Sequence, residues 1–201
     1  MKSSRVIGVR RFWIVIFLAT APAWATAQNG QRPDIRALME QLSNPREVRA
    51  DTVKQIVTLS KKDPSAREYV VQKLPDMIRG PKSDLWLDAI RLAGELKAEE
   101  TISALLDVMS RPPSLATTTI TFAGITRLDT DIVAKALSQI GDPAIPAVTS
   151  LLRSKDSRMR GRAILILRNI GSTAARKILE EHRSQESDPE NLKLIGESLR
   201  P

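Results

Sequence analysis

His182, in Glu-Glu-His-Arg-Ser-Gln, is the only histidine of the 201 residues, so acid–base or triad chemistry at neutral pH would have to pass through it. No serine and carboxylate are spaced to build a Ser-His-Asp set around it, and no phosphate loop or metal-ligand spacing occurs elsewhere. The imidazole falls near the end of a predicted helix, where a partly exposed histidine meeting the helix dipole explains it without catalysis. The chain has no cysteine, which excludes thiolate nucleophiles, cysteine zinc sites and a lipid-anchoring cysteine. Gly94, Gly141 and Gly171 sit in or at the end of helical patterns and never after a strand, so they are no dinucleotide fingerprint. These residues predict no enzyme, no cofactor and no metal site.

The elements around them are more informative. In Ala136–Leu152, Ala136, Leu137 and Ile140 share a helical face, Gly141 follows where a helix end wants a left-handed residue, and Asp142, Pro143 and Pro146 suit the first turn of a second helix. Ala144, Ile145, Val148, Leu151 and Leu152 give that helix its own apolar stripe. The expectation is a corner joining two antiparallel helices that bury against each other, with Asp142 capping the second. The pattern recurs. Asn44–Ser60 and Lys155–Gly171 superpose without gaps, and a third copy starts at Ala89, which places Leu59, Leu96, Ile140 and Ile170 in one register. Leu137, Ile140, Val148, Leu167 and Ile170 are predicted core residues. Unequal spacing implies insertions, the largest from Ser110 to Thr130, readable as a loop or as an extra helix.

Val48-Arg49 and Met159-Arg160 ahead of a small residue, together with the Ile-Gly-Asp-Pro-Ala-Ile-Pro-Ala corner, resemble the HEAT-like repeats, including the subset named after phycobilisome lyases. The resemblance spans roughly Asp34 to Leu199. It implies an all-α, right-handed α-solenoid of about five stacked helical hairpins, in which Arg49 and Arg160 bond neighbouring loop carboxylates or carbonyls. It departs at Trp86, which stands in the arginine register of the second unit, and at Asp129-Thr130 in the third.

Lys2, Arg5, Arg10 and Arg11 precede an apolar run ending in Ala25-Thr26-Ala27, the pattern of a cleaved export signal. The expected organisation is therefore a signal peptide over 1–27 and one solenoid domain over 28–201, exported to the periplasm or secreted, with no stable membrane insertion after cleavage. Four of the 31 basic residues lie in that signal, which leaves 27 against 23 acidic ones, a net +4. With Tyr69, Trp86 and Phe122 the only aromatics after residue 27, this argues against a nucleic-acid partner.

The leading reading is a protein-binding scaffold. On the helix carrying Arg160, positions 158, 162, 165 and 169 form a stripe opposite Met159, Ala163, Leu167 and Ile170. Carried back by register, the ridge reads Arg158, Arg162, Leu165 and Asn169, then Ile132, Lys135 and Gln139, then Asp84, Asp88, Arg91 and Glu95, then Glu47, Asp51, Lys54 and Thr58. It is acidic at its N-terminal end and basic at its C-terminal end, and the resemblance puts such helices on a concave face. Trp86 is either wedged between repeats or an exposed anchor for the partner. Two further readings from the same family are a bilin-lyase-like chromophore handler and a DNA-handling protein.

Overall fold

The computed structural model describes residues 34–42, 46–80, 84–110 and 131–200, apart from the side chains of 46–48 and 84. The predicted signal (1–27) and positions 111–130 of the predicted insertion lie outside the described residues. All described helices belong to one unit, Pro33–Pro201.

Among the described residues there are ten α-helices and no strand: α1 Ile35–Gln41, α2 Arg46–Lys62, α3 Pro64–Arg79, α4 Asp84–Glu95, α5 Ile102–Met109, α6 Ile132–Ile140, α7 Ile145–Leu151, α8 Ser157–Ile170, α9 Thr173–His182 and α10 Pro189–Ser198. Short side-chain oxygens start most of them. Asp63 accepts from the Ser65 and Ala66 amides ahead of Pro64, and Asp188 accepts from those of Glu190 and Asn191 around Pro189. Asp131, Asp156 and Ser172 cap α6, α8 and α9 in the same way. Asp142 is an exception to the reading above: it lies inside a 3-10 turn, Asp142–Ala144, and no side chain caps that turn or α7. Gly141 ends α6 at φ 87° and ψ −143°, and Gly171 ends α8 at φ 66° and ψ 7°, conformations that a Cβ would strain.

The helices stack in two layers. The even-numbered helices pack in sequence, α2 on α4, α4 on α6, α6 on α8 and α8 on α10, while α1, α3, α5 and α7 form the other layer. Each odd helix also packs on the even helix that follows it, giving five pairs. This is an α-solenoid. The Gly141 corner joins successive pairs: α6 packs chiefly against α4, α8 and α5, and α7 against α8, rather than the two closing on each other as expected.

One core runs through the stack. Leu137, Ile140, Val148 and Leu167 are buried, whereas Ile170, in the last turn of α8, is half-buried. Leu165, expected on the outer ridge, is only 7 % exposed. The physical reason is that α8 has neighbours in both layers, α6 and α10 on its flanks and α7 and α9 behind, so the run Ala163–Leu167 is buried almost all round. Ser60 is the misfit of the core: it is buried, and its hydroxyl has no hydrogen-bond partner among the described residues. Ser60→Ala removes an unsatisfied polar group without opening a large void, so urea denaturation should show unchanged or slightly raised stability, by up to about 1 kcal/mol. A loss above about 1 kcal/mol would show that the hydroxyl is bonded in solution.

Candidate protein-interaction face

Ion pairs join the pairs of helices along the even layer. Arg49 Nε on α2 lies 3.6 Å from Asp88 on α4, and Arg91 lies 3.5 Å from the other oxygen of the same carboxylate. Arg162 on α8 reaches back to α6, donating to Asp131 Oδ2 at 2.6 Å and to the Met109 carbonyl at 3.0 Å, so it holds together the end of α5 and the start of α6. Between α4 and α6 the contact is steric instead. A Cβ on Gly94 would stand 3.0 Å from the Ala136 Cα and collide with the Gln139 side chain.

The densest polar cluster ties α8 to the last pair. Arg160 donates from Nε and Nη2 to Glu186, at 2.9 and 2.7 Å, and from Nη1 to the Ser154 and Lys155 carbonyls. Glu186 also accepts from the Ser187 and Asp188 amides and from Asn191 Nδ2, and His182 Nε2 lies 3.3 Å away as a further donor. Asn191 closes the circuit by donating to the Ser157 carbonyl. Burial alone pushes the Glu186 carboxyl up, but Arg160, the two amides and His182 outweigh it and hold the carboxyl down at about 2. The family resemblance anticipated this use of Arg160. The position of His182 differs from the expectation of partial exposure: it is buried, because its neighbour one helical turn on is an inward-facing carboxylate.

The sequence-selected partner residues divide accordingly. Trp86 is 2 % exposed and its indole N–H donates to the Ile78 carbonyl at 2.8 Å, so it is a core residue wedged between α3 and α4 and not an exposed anchor. Asp88 is buried beneath Arg49 and Arg91, and Arg162 is half-buried against Asp131, so both belong to the junctions between repeats rather than to an open ridge. Arg91, Glu95, Lys135 and Arg158 are exposed, and Arg158 lies against Asp156 at 3.3 Å. The Asp84 side chain is outside the described residues. Sequence reasoning missed Asp131 and Glu186, the carboxylates that take Arg162 and Arg160; their partners lie 31 and 26 positions away, a distance at which local spacing carries no signal. Among the described residues no group of three or more histidines and carboxylates could hold a metal, and no helix is long and apolar enough to cross a membrane.

Residues 131–200 match the family model for HEAT repeats. No curated protein matches the chain. Two engineered proteins of solved structure are similar to it. One is 20 % identical with a TM-score of 0.39, over 82 % of this chain and 77 % of its own. The other is 21 % identical with a TM-score of 0.37, over 82 % of this chain and 46 % of its own. The described chain is an α-solenoid, and its stretch from α6 to α10 is the part that matches HEAT repeats, a class of scaffold that commonly mediates protein interactions.

Proposed function

We propose that this protein is an exported, non-enzymatic protein-binding scaffold whose partner lies across the even-helix layer. One observation carries the reading: side chains suited to chemistry, His182, Glu186, Arg160 and Asp131, are engaged in joining one repeat to the next, while successive even helices present exposed Lys54, Arg91, Glu95, Lys135 and Arg158. The bipolar charge order is reduced by the geometry, since Asp88 and Arg162 are neutralised by pairing within the layer. At the ends the ridge charges are paired as well, Asp51 with Lys54 on α2 and Arg158 with Asp156 at the start of α8. Chromophore or DNA handling gains no support from this face, where the one described aromatic, Trp86, is buried.

A photo-crosslinker at Lys135 should capture a partner from the envelope fraction, and one at Gln72, exposed on α3 in the other layer, should not. Equal capture from both positions would remove the even layer as the contact face. Export is tested separately. Protein purified from the envelope should begin near Gln28 on N-terminal sequencing, and retention of Met1 would replace the cleaved signal by an anchor.

A further inference from the structure

We propose that Lys54, Arg91 and Lys135 form a docking track for an extended acidic peptide segment, an inference that rests on the protein-binding reading above and names the partner's chemistry. The three cations stand at one register position on α2, α4 and α6. Each follows Asp51, Asp88 or Ile132 by three residues and precedes Thr58, Glu95 or Gln139 by four. Because α2 packs on α4 and α4 on α6, the row crosses three adjacent helices. The side chains of Lys54 and Arg91 are 78 % and 61 % exposed, and Lys135 is exposed as well. The row stops at α8, where the equivalent residue is the buried Leu165.

The spacing selects the ligand. Packed helices lie about 8–10 Å apart, so the track offers one cation per such interval. An extended chain in the polyproline-II form has three residues per turn and advances about 3.1 Å per residue, which puts carboxylates three residues apart on one face, about 9 Å apart and onto successive cations. The track is also narrow. Asp51 lies on one side, 3.6 Å from Lys54, and Glu95 on the other, while Asp88 sits beneath Arg91. A bound helix, about 10–12 Å wide, would cover the acidic rows with the cationic one. A nucleic acid, with its closely spaced phosphates, would have to pass the same carboxylates, and this face exposes no described aromatic on which bases could stack. An extended peptide with spaced acids can set neutral residues against Asp51 and Glu95.

The test uses the full chain and a fluorescent synthetic peptide with glutamate at every third position and serine or alanine between, followed by fluorescence anisotropy at low and physiological ionic strength. Binding should weaken with salt. It should fall at least about tenfold in the Lys54→Ala/Lys135→Ala variant, which leaves Arg91, Asp88 and Arg49 in place, with the melting temperature unchanged. A peptide of equal charge with its glutamates contiguous, or spaced seven apart for a helix, should bind several-fold more weakly. Equal affinity for the rearranged peptides, equal affinity of the double variant, or tighter binding of a single-stranded oligonucleotide of the same charge would overturn the proposal. If the spaced peptide fails to bind while crosslinking from position 135 persists, the acidic track alone falls. If both fail, the protein-binding reading of this face falls with it.

Discussion

Glu186→Ala should destabilise the protein by about 3–5 kcal/mol at neutral pH, the range for removing one partner of a buried pair. The side chain is fully buried, and its loss leaves the 14 % exposed Arg160 guanidinium without its carboxylate, together with the Ser187 and Asp188 amides and the Asn191 amide. The cost is set by the stranded groups more than by the pair itself. Arg160→Met/Glu186→Leu should therefore be less damaging than Glu186→Ala. The pH dependence has a definite sign. The carboxyl is held at about 2 in the folded chain against an ordinary 4.5, so its stabilising contribution is fully present above about pH 4.5 and is lost as pH falls towards 2. Urea denaturation at neutral pH and at several values between 4.5 and 2 should show the wild type losing its advantage over Glu186→Gln across that window. Parallel curves for the two proteins would mean that Glu186 is not the group titrating there.

What the sequence made legible was local. Gly141 and Gly171 announced the ends of α6 and α8 because a positive φ favours a residue without Cβ, and the shared register of Leu96 and Ile140 marked buried turns. Arg160 was legible through resemblance, but its partner was not: in His-Arg-Ser-Gln-Glu-Ser-Asp, nothing distinguishes the buried Glu186 from its exposed neighbours until the end of α9 turns it towards α8. The same limit applies to Arg162. Its place in a helical stripe made it a candidate for the outer ridge, yet Asp131 and the Met109 carbonyl, on elements far back in the chain, draw it into a junction. Leu165 was misplaced for a different reason. A single-face stripe assumes a helix with one packed side, and the continuous apolar run Ala163–Leu167 already carried the sign of a helix packed on several. Trp86 was left open between two uses, and the Ile78 carbonyl within reach of its indole N–H decides for the core.

Leu167→Ala should cost about 2–5 kcal/mol, the range for emptying a large buried aliphatic site. Leu167 is fully buried on α8, the helix that packs on α6, α7, α9 and α10, so the cavity opens where two layers and three successive pairs meet. Relaxation is restricted there because α8 is pinned at its start by Arg160 and Arg162 and at its end by the Gly171 turn. Ile170→Ala removes a comparable side chain from a half-buried position in the last turn, and should cost less than Leu167→Ala. In a solenoid each unit is stabilised chiefly by its neighbours, so the damage should also be local. Hydrogen exchange should accelerate in α8, α9 and α10 well before α2 and α3. A loss below about 1 kcal/mol for Leu167→Ala would contradict the packing of α8. Uniform acceleration across all helices would instead show that the stack unfolds as a single cooperative unit, with the fourth pair as its keystone.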